Sequence, residues 1–166
     1  MKEYENYYYN EGYNYIGGTD EAGRGPLVGP VVCACVVLPK DYENDERNDS
    51  KKLTEKKREK LYELIANEAI SYGVGIIDQT EIDEINILNA TKKGLTESIK
   101  LLNVKPDIIL VDALTKIDTN GIPYRSVIKG DAKVYSIACA SIIAKVARDR
   151  IMREWDKVYS EYGFAQ

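Results

Sequence analysis

Y-I-G-G-T-D-E-A-G-R-G-P-L-V-G-P, residues 15–30, joins one short apolar run to another, Val31 to Leu38, through a glycine turn. An adjacent acid pair, Asp20-Glu21, stands where the first run ends, and Gly23-Arg24-Gly25 follows directly. In an α/β sheet the carboxyl ends of strands are where sites form. Two acids at such an end repel each other unless a cation lies between them, which points to a hard metal held by oxygens. Glycines beside the pair let the backbone approach a ligand closely. Each part also has a plainer reading: an acid pair after a strand suits a solvated turn, and a lone G-x-G suits turn geometry alone.

Outward from this stretch the chain reads as α/β. Tyr15 to Thr19 and Val31 to Leu38 predict two strands. After a polar loop and N-D-S-K-K-L at 48–53, a helix is predicted over about 54–69, with Thr54 as its cap and Leu61, Leu64, Ile65 and Ala69 as its apolar stripe. Ile70 to Ile77 predicts a third strand, weakened by Gly73 and Gly75. Residues 80–102 carry helical spacing in two pieces. Asp107 to Val111 is apolar enough for a strand buried on both faces, and it ends at Asp112. Tyr124 to Ile128 predicts a fifth strand, ending at Lys129-Gly130-Asp131, before a long helix from Val134 to Tyr159. Three consecutive strands can form a meander, and the later ones join through helical crossovers. The expected division is a tyrosine-rich leading segment, 1–14, and one domain, 15–166. The leading segment reads as a loosely ordered terminus or as a piece packed on the domain. A tyrosine-stacking nucleic-acid arm is the less favoured reading.

Composition narrows the chemistry. The 166 residues contain 44% hydrophobic residues, enough for a real core, and carry a net charge of −4. Any basic surface must therefore be local. Histidine is absent, which excludes His-based triads, His general bases and the common zinc sites. Cys33, Cys35 and Cys139 form no C-x-x-C and read as buried thiols in a reducing cytoplasm. No apolar run approaches 20 residues and no signal peptide is recognised, so no membrane span is expected.

Three predicted strands thus end in acids: Asp20-Glu21, Asp112 and Asp131. Neighbouring strands lie about 4.8 Å apart, so such ends can converge on one small volume. Four carboxylates there need cations, and an all-oxygen set favours Mg²⁺ or Mn²⁺. Two ions about 3.5–4 Å apart would clamp both oxygens of a phosphodiester undergoing displacement. Taken alone, Asp112 or Asp131 equally suits a strand-end turn or a helix cap.

The ordered set of motifs closely resembles ribonuclease HII, the bacterial type 2 ribonuclease H. It comprises D-E-A-G-R-G at 20–25, D-S-K-K-L at 49–53, I-D-E-I-N-I-L-N-A-T at 82–91, V-D-A-L at 111–114, K-G-D at 129–131 and S-I-A-C-A-S-I-I-A-K-V-A-R-D-R at 136–150. The resemblance spans about residues 15–164 and implies a ribonuclease H-like fold: a five-stranded mixed sheet flanked by helices. It implies Asp20, Glu21, Asp112 and Asp131 as metal-binding catalytic acids and Mg²⁺ or Mn²⁺ as cofactor, two ions with substrate. Gly23, Arg24 and Gly25 match the family's G-R-G element, whose backbone contacts the 2′-hydroxyl and phosphate at an RNA-to-DNA junction. The 2′-OH, donor and acceptor at once, is what distinguishes RNA there. Related type 3 enzymes carry a different residue at the arginine, which favours type 2. Ser50, Lys51 and Lys129 are implied phosphate contacts, with Ser141 and Lys145 as weaker candidates. Arg148, Asp149 and Arg150 equally suit a salt-bridged helix face.

The implied function is a cytoplasmic, monomeric endonuclease. It would cut RNA in RNA/DNA hybrids and incise 5′ to ribonucleotides embedded in duplex DNA, leaving 3′-hydroxyl and 5′-phosphate ends. Its roles would be removal of misincorporated ribonucleotides and of RNA primers. One departure stands out. Family chains usually continue with a K-G-Y segment and further helix, whose tyrosine packs on the sugar beside the 2′-OH, and no residue here matches it. The alternative expectation is therefore a C-terminally truncated, inactive core that binds hybrid without cutting it. An unrelated two-metal phosphohydrolase would leave G-R-G and D-S-K unexplained.

Overall fold

The D-E-A-G-R-G stretch begins on a central strand. β1 (Ile16–Ala22) pairs antiparallel with β2 (Val31–Val37), which pairs antiparallel with β3 (Ser71–Ile77). On the other side of β1 lies β4 (Ile108–Asp112), parallel to it, and then β5 (Tyr124–Val127), parallel to β4. The sheet order is β3-β2-β1-β4-β5, a mixed five-stranded sheet with a meander at one side, as expected from sequence. The computed structural model describes residues 1–25, 28–42 and 53–161, with the backbone alone for 159–161.

Helices cover both faces. α1 (Glu3–Asn10) precedes the sheet, and α2 (Glu55–Glu68) starts where Thr54 accepts the Lys57 N–H at 3.2 Å. α3 (Gln79–Ile85) and α4 (Ile87–Lys100) are split at Asn86, which has φ 72° and whose side chain caps α4. A four-residue helix, α5 (Gly130–Lys133), leads into α6 (Tyr135–Glu161). β2 alternates between two cores, as a strand must. Ala34 and Val36 pack with Ile142 and Ile143 of α6 and with Leu61 and Ile65 of α2. Val31, Cys33, Cys35 and Val37 pack with Leu95 and Ile99 of α4. Burying each such aliphatic side chain contributes about 1.5–3 kcal/mol.

Several expectations need revision. The first strand does not stop before the acids: Asp20 pairs with Ala34 and Glu21 with Cys33 inside β1. Asp131 does not end the fifth strand, because β5 stops at Val127 and Asp131 lies in the first turn of α5. Gly73 and Gly75 have a packing reason within β3 that the strand pattern did not show. A Cβ at either would come within 2.3 Å of a carbonyl oxygen of α4, so glycine here is what lets the helix lie against the strand. All three cysteines are buried free thiols, as expected. Residues 1–14 form a packed helix followed by a turn, with Tyr8 buried against Ile16, Leu110 and Ile137. Among the described residues, no helix is long and apolar enough to cross a membrane.

Candidate metal centre

Strand register decides which acids meet. Residues opposite each other on antiparallel strands point to the same face. Asp20 is opposite Ala34, so it points toward α6 and α2, while Glu21, opposite Cys33, points toward α4. On β4, Ile108 and Leu110 pack on Val134 and Ile137 at the α6 side, and by the two-residue period Asp112 shares their face. Asp131 arrives there from α5. One carboxylate oxygen each from Asp20, Asp112 and Asp131 lies within 4.8 Å of the others. Glu21 is not part of that triangle. It stands beside it, with its carboxyl hydrogen-bonded to that of Asp20 and its Oε1 3.9 Å from Nη1 of Arg24.

The backbone around the triangle is specialised. Gly130 donates its N–H to Asp112 Oδ1 at 2.8 Å, and Glu21 donates its N–H to Asp20 Oδ1 at 2.8 Å. Ala113 (φ 60°) and Lys129 (φ 55°), which flank the two later acids in the chain, both occupy the left-handed region. Non-glycine residues are held there only where the surroundings demand it. Burial holds the Asp20 carboxyl well above the usual carboxylate range, and Glu21, Asp112 and Asp131 push it further the same way. Burial likewise raises Glu21, against the opposing pull of its hydrogen-bonding and of Arg24. Three acids gathered within 4.8 Å form a donor set of the kind that holds a hard cation. The chemistry of the donor set fits a hard divalent cation, which Asp20, Asp112 and Asp131 would hold with Glu21 alongside.

Beside the acids opens a cleft of about 680 Å³, lined by Glu21, Gly23, Arg24, Gly25, Lys145 and Arg148 among others. Gly23 has φ +98°, and a Cβ there would meet the Pro30 carbonyl at 2.4 Å and Arg148 Nε at 2.5 Å. Gly25 is different: among the described residues, nothing lies within 4 Å of where its Cβ would be. The fold itself therefore needs glycine at 23 but leaves space at 25, on the wall of the cleft.

A sequence model of the family described as Ribonuclease HII matches residues 17–166. The chain belongs to the ribonuclease HII family. It is 59% identical over 166 residues to the Ribonuclease HII of Caldanaerobacter subterraneus subsp. tengcongensis, covering all of this chain and 68% of that one. It is 57% identical over 163 residues to that of Acetivibrio thermocellus, covering 98% of this chain and 63% of the relative. The chain thus spans about two thirds of the length of these relatives. Among solved structures it resembles the ribonuclease H2 of Pyrococcus horikoshii OT3, with TM-score 0.71 and 31% identity over 90% of this chain and 77% of that one. The ribonuclease H-like fold expected from the motifs is therefore the fold present.

The other residues singled out from sequence fare differently. Lys145 lines the cleft, and Lys129 is exposed just before α5. Ser141 is 1% exposed within the core side of α6, so its hydroxyl is not on a surface. Ser50 and Lys51 lie outside the described residues. Asp149 and Arg150 make ion pairs, but across to α2: Asp149 with Arg58 at 3.6 Å, Arg150 with Glu59 at 2.7 Å and Glu63 at 3.1 Å. Arg148 is the residue that sequence reading undervalued. Its Nε donates to the Pro30 carbonyl at 3.0 Å and its Nη2 to the Val28 carbonyl at 2.8 Å, so α6 holds the glycine turn. These partners are 118 and 120 residues away, and no local spacing signals them.

Proposed function

We propose that this chain is a divalent-metal-dependent endonuclease that hydrolyses RNA in RNA/DNA hybrids and incises duplex DNA 5′ to embedded ribonucleotides. The observation that carries the reading is the Asp20–Asp112–Asp131 triangle, within 4.8 Å, with the next residue, Glu21, on the wall of a cleft shared with Gly23, Arg24 and Gly25. Two bound Mg²⁺ or Mn²⁺ ions would supply an activated water and charge stabilisation at the leaving 3′ oxygen. The chain's own part is positional. Asp20 and Asp112, held by backbone N–H bonds, and Asp131, on its short helix, present oxygens at fixed spacing. The Gly25 backbone, with no side chain of its own and no described atom within 4 Å of its Cβ position, would be accessible to the sugar edge of a duplex. Recognition there of a group that only RNA carries would direct cutting to the 5′ side of a ribonucleotide. Arg24, half-exposed at the cleft, is placed for a phosphate. No side chain is required to act as a histidine-type base, consistent with a chain that has none. The biological roles that follow are excision of misincorporated ribonucleotides and removal of RNA primers, with the chain acting as a monomer in the cytoplasm.

The test is hybrid cleavage by wild type and Asp20→Asn, with product ends analysed. Wild type is expected to give 3′-hydroxyl and 5′-phosphate ends only with added metal, and the variant to keep its fold and lose turnover. Metal-independent cutting, or full activity in Asp20→Asn, would refute the assignment. A folded wild type that binds hybrid and never cuts it would instead mark the chain as a binding core.

A further inference from the structure

α6 is the longest helix described, 27 residues, and it begins without a cap of its own. Helix N-termini leave backbone N–H groups without internal partners, and Ser, Thr, Asp or Asn just before the helix usually accepts one. The residue before α6 is Val134, in extended conformation (φ −120°, ψ 122°), which offers no side-chain oxygen. The caps come instead from the far end of the chain. Ser136 donates its N–H to Glu5 Oε2 at 2.8 Å, and Tyr135 donates its N–H to the Met1 carbonyl at 3.1 Å. Lys2 adds its ammonium over the Tyr135 ring, 5.2 Å from the centroid. Glu5 is only 7% exposed, and its Oε1 is buried without a hydrogen-bond partner. A carboxyl buried this deeply costs more than a neutral cap would. Its favourable location is the positive end of a long helix.

What Glu5 holds lies next to the acids. Ser136 and Ile137 abut β1 at Gly18, two residues before Asp20: a Cβ there would be 2.6 Å from the Ile137 nitrogen. Ile137 also packs on Gly130, whose N–H holds Asp112. Gly130 in turn accepts the Val134 N–H at 2.7 Å, which closes the turn carrying Asp131. We propose that Glu5 is a positioning residue for the acidic cluster: by capping α6 from the N-terminal helix, it fixes the segment from Gly130 to Ile137 that carries Asp131 and supports Asp112. The inference rests on the reading of that cluster as a metal site.

The experiment is calorimetric titration of Mn²⁺ into wild type, Glu5→Ala and Glu5→Gln at 25 °C, with circular dichroism confirming that each is folded. Removing groups that support metal ligands typically costs 10–100-fold in affinity. Glu5 acts one contact further out, so Glu5→Ala is expected to raise the Mn²⁺ dissociation constant about tenfold, the low end of that range. Glu5→Gln, which still offers an oxygen to the Ser136 N–H, is expected to restore most of it. A merely structural role would lower the melting temperature and leave the titration of the folded protein unmoved, and that outcome overturns the proposal. If Glu5→Ala does not fold, Glu5→Asp takes its place: it keeps the charge but draws the carboxylate back from Ser136. A several-fold loss of affinity in that variant supports the proposal, and wild-type affinity overturns it. Failure of wild type itself to bind Mn²⁺ is a separate result; it removes the metal reading and this inference with it.

Discussion

Asp20→Asn should stabilise the metal-free protein while it destroys the metal site. Asp20 is 6% exposed, and its carboxylate lies within 4.8 Å of those of Asp112 and Asp131. Two unit charges at 4.8 Å repel by about 3.5 kcal/mol at an effective dielectric of about 20. Burial and the neighbouring acids favour the protonated form of Asp20, which relieves part of this repulsion, so the recoverable part is about 1–3 kcal/mol. Asparagine removes the charge, and its side-chain oxygen can still accept the Glu21 N–H that now bonds Asp20 at 2.8 Å. For a chain of this size, that gain corresponds to a rise of about 3–10 °C in melting temperature. The assay is thermal unfolding of both proteins in chelator at pH 8 and pH 5, repeated with excess Mn²⁺. The difference should shrink as pH falls, because the raised Asp20 carboxyl takes up a proton more readily than an ordinary carboxylate. Mn²⁺ at 100 times its dissociation constant should stabilise wild type by about 2.7 kcal/mol and the variant far less. A metal-free variant that melts below wild type at pH 8, or one that Mn²⁺ stabilises equally, would refute the reasoning.

Other predictions follow from the same geometry. The raised Asp20 and Glu21 carboxyls mean that the folded state binds more protons than the unfolded chain. Their contribution is therefore fully present below the unfolded values of 3.8 and 4.5 and is lost as pH rises through the folded ones, so urea midpoints of the metal-free protein should reflect a falling contribution from this site over that window. Gly23→Ala forces a left-handed backbone and a clash with Arg148 and Pro30, and should cost about 1–3 kcal/mol in denaturant unfolding. Gly25→Ala meets nothing within 4 Å among the described residues, so it should leave the melting temperature unchanged and raise KM for hybrid; an unchanged KM would remove Gly25 from the substrate surface. Leu95→Ala, in the core under α4, should cost about 2–5 kcal/mol by urea titration without shifting the metal requirement of cleavage.

How much of this was legible in the sequence depends on range. The strands and helices emerged because their signals are local: the alternation in β3, the Thr54 cap, and the unbroken apolar run of β2, which reflects burial on both faces. The candidate acids were legible from motif order. Their arrangement was not, because the register that brings Asp20 and Asp112 together joins distant strands, and a four-residue helix carries Asp131 past the end of β5. The tyrosine-rich start gave no functional signal, since the value of Glu5 depends on Ser136, 131 residues away. Arg148 was ambiguous for the same reason: a basic residue on a helix has many possible partners, and its two carbonyls belong to the loop before β2.

The most direct test of the central claim is incision of a DNA duplex carrying one ribonucleotide, in Mg²⁺ and in Mn²⁺, beside an all-RNA/DNA hybrid. The account predicts metal-dependent cutting of both, with the duplex nicked on the 5′ side of the ribonucleotide. A folded protein that binds both substrates at saturating metal and cuts neither would contradict it.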